Sequence, residues 1–198
     1  PLKLSNTPQL SDVSTTLRLL MDMGSNFVLE EDSSISIDSS DLTNLTAEYE
    51  LVKTMRASIL TLGPMLAKYK KAKISLPGGC AIGTRPVNLH LSALEKMGAK
   101  IEVKNGYIYA STNELIGAQI NFDMISVTAT ENIIMAATLA KGTSTINNAA
   151  QEPEVTDLIK CLNKMGAKIT GENTSTIVIQ GVDHLSGVDY SICPDRIE

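Results

Sequence analysis

The sequence predicts an α/β domain of α+β type, built from three repeated βαβαββ-like units, and three observations carry that prediction. One segment recurs three times, as Leu17–Phe27, Leu91–Ile101 and Leu158–Ile169, each an apolar helical stripe that runs into Met-Gly, a small residue, a polar residue and a hydrophobe. A strand-like return follows each copy, at Ser34–Ile37, Tyr107–Ala110 and Thr176–Ile179. The chain of 198 residues is 43% hydrophobic but only 4% aromatic, with no Trp, so its core is expected from Leu, Ile, Val, Met and Ala.

In the first unit, Leu and Met at three- and four-residue spacing give one apolar helix face, and Gly24 after Met23 supplies the left-handed residue that ends it. Strand Phe27–Leu29 follows, then the return at Ser34–Ile37. A second helix is expected over Glu48–Tyr69, with Leu51, Met55, Ile59 and Leu62 along one stripe, then strand Lys73–Leu76. The second unit repeats this. Its helix ends at Met97-Gly98, strand Ile101–Val103 follows, and Asn105-Gly106 is a strong hairpin turn. A helix over Ala129–Lys141 then carries Ile133, Ile134, Ala137 and Leu139, and leads into strand Thr143–Ile146. The third unit gives a helix ending at Met165-Gly166, a strand at Ile169 and the return at Thr176–Ile179. Cys193–Glu198 stands where its second helix would begin, so the expectation is one domain over 1–198, cut from a longer chain. Three such units would bring three sheets and their helices around a common centre.

Several function classes are disfavoured. A net charge of -5 argues against a general nucleic-acid binder. No apolar run is long enough to span a membrane, and Leu2 and Leu4 lead at once into polar Ser5, Asn6 and Thr7, unlike a signal peptide. Cys80, Cys161 and Cys193 are odd in number and widely spaced, with only two His in the chain. A disulfide framework and a zinc site both fit poorly, no cofactor is expected, and a reducing cytoplasm fits best.

One segment is composed for chemistry rather than packing. Ser75–Pro86 holds three Gly, two Pro, Cys80 and Arg85 directly after a strand. Glycines allow close backbone approach, and a nearby cation favours thiolate. Composition leaves two readings of Cys80 open, a reactive thiol and a small buried hydrophobe. Arg85 reads as an anion anchor or a solvated side chain. Lys53, Thr54 and Arg56 at a helix start could hold an anion or simply form a polar face. His90, at the start of a repeat helix, reads as a cap or packing residue. No GxGxxG, phosphate-binding loop or HExxH is present, and no carboxylate pair follows from spacing.

Leu76–Val87 closely resembles the catalytic loop of the UDP-N-acetylglucosamine enolpyruvyl transferases. Leu51–Ser58, Ala149–Glu154 and Pro194–Glu198 resemble further stretches of that family, in order, so the resemblance runs over essentially the whole chain. It implies an inverted α/β barrel, helices inside and sheets outside, forming one of two domains that flank a cleft. It implies transfer of the enolpyruvyl group of phosphoenolpyruvate to the 3'-hydroxyl of UDP-N-acetylglucosamine for peptidoglycan synthesis. Cys80 matches the general acid, which is also the fosfomycin target. Arg56 and Arg85 match residues that bind the anionic substrates. The stretch Arg85, Pro86, Val87, Asn88 and Leu89 matches one wall of the nucleotide-sugar site, and Met124, Ile125, Ser126 and Val127 match a second. Asn88 stands where the family commonly has Asp, and Met124 where it often has Lys, so a carboxylate and a cation are replaced. The family's Lys-Asn pair would precede Pro1, and the second domain with its Asp base and Arg would lie outside the chain. The chain alone is therefore expected to be inactive, with self-association through an uncovered cleft wall as a possible outcome.

Three rival readings share the fold or its repeated unit. A 3-phosphoshikimate 1-carboxyvinyltransferase domain typically lacks the Cys-bearing loop. A non-catalytic binding domain would have no reason to retain it. An RNA 3'-phosphate cyclase is disfavoured by the acidic charge.

Overall fold

The computed structural model describes residues 1–32, 34–52, 55–76 and 87–194. Three four-stranded sheets enclose a helical centre. The elements run β1 (Leu2–Ser5), α1 (Ser11–Asp22), β2 (Asn26–Leu29), β3 (Ile35–Asp38) and β4 (Thr46–Ala47). A short α2 (Tyr49–Val52), a 3-10 turn (Arg56–Thr61) and α3 (Leu62–Tyr69) precede β5 (Lys71–Ser75). Then come α4 (Asn88–Lys96), β6 (Lys100–Lys104), β7 (Tyr107–Ser111), β8 (Gln119–Asn121), α5 (Val127–Thr138) and β9 (Thr143–Asn147). The series closes with α6 (Pro153–Lys164), β10 (Lys168–Thr170), β11 (Thr176–Gln180) and β12 (Asp189–Ser191).

The repeat is visible in the backbone. Gly24, Gly98 and Gly166, each directly after a Met, sit at φ +105°, +93° and +103°, in the left-handed region that a Cβ disfavours. Each ends its helix and turns the chain into β2, β6 or β10. Asn105 (φ 52°) and Gly106 (φ 77°) both take the positive values of a tight hairpin turn, so β6 and β7 pair without slippage from Lys100↔Ser111 to Lys104↔Tyr107.

All three sheets have one plan. Their orders are β12-β1-β3-β2, β4-β5-β7-β6 and β8-β9-β11-β10. The first pair in each is parallel and the other two pairs are antiparallel. The edge strands β4, β8 and β12 each leave the hairpin of one sheet and pair in the next. The parallel pairs β4/β5 and β8/β9 are joined by helical crossovers. In the third, β12 returns to β1 with Lys3 opposite Asp189 and Leu4 opposite Tyr190, so the cycle closes on itself.

The helices lie inside. α5 packs against α3, α4, α6 and the 3-10 turn, and eight of its twelve residues are buried, including Ile133 and Ile134. Each fully buried Ile contributes roughly 1.5–3 kcal/mol, so α5 anchors all three units.

The single helix expected over Glu48–Tyr69 is not there. Met55 is extended (φ -141°, ψ 107°) ahead of the 3-10 turn. Pro64 lies in the first turn of α3, where its missing N–H costs nothing; within a continuous helix it would clash with the preceding turn. The helix expected over Ala129–Lys141 starts earlier, at Val127, because Ser126 caps it by accepting from the Ala129 N–H.

Candidate functional site

Three helical elements, α3, the 3-10 turn and α4, converge on one side chain of α5, Asn132. This residue lies in the second turn of α5 and is fully buried. Its Oδ1 accepts the Gly63 N–H of α3 at 2.8 Å, which fixes the amide orientation. Its Nδ2 then donates to the Ile59 carbonyl of the 3-10 turn at 3.1 Å and to Nδ1 of His90 in α4 at 2.9 Å. His90 must carry its proton on Nε2, which faces Thr128 Oγ1 at 3.4 Å. Burial pushes His90 down to about 4, so the ring is neutral and can accept.

This network sets α4 and α5 in register. Val87, Asn88 and Leu89 form the approach and first turn of α4, immediately before His90. Met124, Ile125, Ser126 and Val127 lead into α5, immediately before Thr128. The two stretches matched to the nucleotide-sugar site are thus held side by side at neighbouring helix starts. Asn88 is exposed, and Met124 and Ile125 are more than half exposed, an apolar shoulder open to a ligand or to protein.

The glycine-rich segment joins the end of β5 to α4. Its near anchor is Leu76, whose N–H donates to the Gly106 carbonyl at 2.8 Å; Val87, its far anchor, packs on the core. Cys80, Arg85 and Pro86 lie outside the described residues, as does the Arg56 side chain; Arg56 itself opens the 3-10 turn that Asn132 ties to α5.

Sequence reasoning missed Asn132 altogether. The available signal was an Asn in an otherwise apolar and Ala-rich helix, with Gly63 to receive it: a Cβ at Gly63 would collide with the carbonyl and side-chain oxygens of Asn132. His90 was read correctly as a packing residue. Glu131 was also missed. Burial, and then Glu154 and Glu152, push its carboxyl up to about 7. Cys161 and Cys193 are free thiols pushed up chiefly by burial and by Asp157, the reverse of a nucleophile's surroundings. No group of metal-ligating side chains occurs among the described residues.

Residues 2–198 match the family model described as EPSP synthase (3-phosphoshikimate 1-carboxyvinyltransferase). The chain belongs to this family. Within it, the chain is 75% identical over 198 residues to a UDP-N-acetylglucosamine 1-carboxyvinyltransferase of Ruthia magnifica subsp. Calyptogena magnifica. It is 58% identical to one of Hydrogenovibrio crunogenus and 57% to one of Coxiella burnetii. The matches take in the whole chain but only 46–47% of these relatives, so the chain spans about half their length. Among solved structures, the enolpyruvyl transferase NikO of Streptomyces tendae superposes with TM-score 0.85 at 18% identity, over 98% of this chain and 46% of that one. EPSP synthase of Acinetobacter baumannii gives 0.76 at 19%, over 96% and 44%. Those two likenesses establish the fold that this family member shares with them.

Proposed function

We propose that the chain forms the catalytic-loop domain of an enzyme that transfers enolpyruvyl from phosphoenolpyruvate to the 3'-hydroxyl of UDP-N-acetylglucosamine, a cytoplasmic step of peptidoglycan synthesis. The observation that carries this is identity of 57–75% to relatives named for that activity, against 19% to the EPSP synthase structure. In this reading Cys80 protonates the methylene carbon of phosphoenolpyruvate and is the thiol that fosfomycin alkylates. Arg56 and Arg85 hold the anionic substrates. Arg85, Pro86, Val87, Asn88 and Leu89 with Met124, Ile125, Ser126 and Val127 hold the nucleotide sugar. The Asn132–His90 network supports this by placing the α4 and α5 starts together. Leu76 and Val87, the described residues on either side of the Cys80 segment, are held by a hydrogen bond to Gly106 and by packing on the core, respectively.

The second half of the site would come from chain that the relatives have beyond this match, so residues 1–198 alone are expected to turn over no substrate. The test is intact-mass spectrometry after fosfomycin, on residues 1–198 transplanted into the Ruthia relative, with and without UDP-N-acetylglucosamine. The proposal expects one adduct, mapped to Cys80, that the nucleotide sugar promotes. Adducts spread over Cys161 and Cys193, or none on Cys80, would refute the assignment.

A further inference from the structure

The outer faces of two sheets carry opposite charge. Strand alternation sends Ala72, Ile74, Ile108 and Ala110 inward and Lys71, Lys73, Tyr107, Tyr109 and Ser111 outward. With β6 alongside, Lys71–Ser111–Lys100 forms one outward row and Lys73–Tyr109–Glu102 the next. Lys104 adds a fourth ammonium group beside Tyr107. Glu102 is the only carboxylate in these rows, and Glu48 accepts the Tyr107 hydroxyl at the rim. Lys73 lies over the Tyr107 ring at 4.4 Å from its centroid. The face is concave: a trough of about 480 Å³ runs between Lys71, Lys73, Lys100 and Tyr109.

The sheet of β1, β2, β3 and β12 is the converse. Its outward row is Asp189–Lys3–Ser36–Val28. Asp38 stands in the next row opposite Asn26, Glu30 accepts from Ser36, and Asp32 pairs with Lys3 at 3.4 Å. This side thus carries four carboxylates and one lysine, of which Asp32 is ion-paired with Lys3 and Asp189 is its cross-strand neighbour. Each face also bears an exposed large apolar side chain in its central row, Val28 here (59%) and Tyr109 opposite (40%). The third sheet shows neither character: its outward positions are Thr, Asn, Gln and Val, with Lys168 as its charge.

We propose that the acidic sheet of one copy of this chain docks on the basic, aromatic sheet of another. The contact is heterologous, head to tail, with Val28 set against the trough beside Tyr109 and lysines facing carboxylates. Because the charges are exposed, the association is weak and screened by salt. Both faces lie on the outside of the barrel, away from α4 and α5, so the inference stands apart from the proposed activity.

The test is a charge swap read by sedimentation velocity in about 20 mM and about 500 mM salt. Lys71→Glu/Lys100→Glu reverses the basic face; Val28→Lys/Asp189→Lys neutralises the acidic one. None of these four side chains makes a side-chain hydrogen bond or ion pair in the described structure. The wild type is expected to form concentration-dependent oligomers in low salt that dissociate in high salt. Each variant alone is expected to be monomeric, and an equimolar mixture of the two to associate again. Thr145→Glu, on the third sheet, should associate as the wild type does. A wild type that stays monomeric in low salt, association that survives in either variant, a mixture that stays monomeric, or loss in Thr145→Glu would each overturn the proposal.

Discussion

Replacing Asn132 by Ala should cost about 3–5 kcal/mol. The change removes one acceptor and two donated bonds, and strands the Gly63 N–H, the Ile59 carbonyl and His90 Nδ1 in the core. Each stranded buried group costs about 1–3 kcal/mol, and a water entering the space left by the amide can satisfy one of them. At about 2–4 °C per kcal/mol for a chain this size, the midpoint should fall by roughly 6–20 °C. The assays are thermal and urea unfolding followed by far-UV circular dichroism, with an unchanged urea slope confirming that the same surface is exposed. A double-mutant cycle with His90→Ala should show coupling of about 1 kcal/mol or more, because both changes break one shared bond. NMR adds an independent readout. In the wild type His90 should hold its Nε2–H form down to about pH 4. In Asn132→Ala its titration should move toward 6.5, as water reaches the ring. A loss below about 1 kcal/mol with His90 unmoved would refute the network argument.

Gly63→Ala should destabilise by about 1–3 kcal/mol by forcing α3 off α5, since the new methyl meets backbone as well as the Asn132 side chain; an unchanged urea midpoint would contradict the close packing. Two buried groups shape the pH dependence with opposite sign. His90 is depressed from 6.5 to about 4, so the contribution of its neutral ring is present above pH 6.5 and is lost as pH falls toward 4. Glu131 is raised from 4.5 to about 7, so its contribution is present below pH 4.5 and is lost as pH rises through 7. Glu131→Gln should therefore match the wild type near pH 4.5 and exceed it by about 1–2 kcal/mol at pH 8, after discounting for partial exposure. Urea midpoints across that range test this, and a variant that tracks the wild type throughout would rule it out.

What the sequence could and could not show follows from how each feature is encoded. Met-Gly at 23–24, 97–98 and 165–166 was legible because a left-handed residue after an apolar stripe has few alternatives to Gly, and Asn105-Gly106 for the same reason. The exchange of β4, β8 and β12 between sheets was not legible. Thr46–Ala47 and Gln119–Asn121 are too short to show alternation, and their pairing is decided by tertiary packing. The break at Met55 was hidden because Leu51, Met55, Ile59 and Leu62 keep helical spacing while Pro64 forbids one continuous helix. Val87–Leu89 and Met124–Val127 were singled out through resemblance alone, and the Asn132–His90 link that aligns them was not legible. A buried amide looks like a surface polar residue until its three partners, from three helical elements, are in place.

The measurement that bears most directly on the proposed role is turnover by residues 1–198 set in place of the matching 198 residues of the Ruthia relative. Release of phosphate from phosphoenolpyruvate should require UDP-N-acetylglucosamine, and Cys80→Ala should reduce it by roughly 100-fold or more. A folded chimera that uses shikimate 3-phosphate instead, or that is indifferent to Cys80→Ala, would contradict the account.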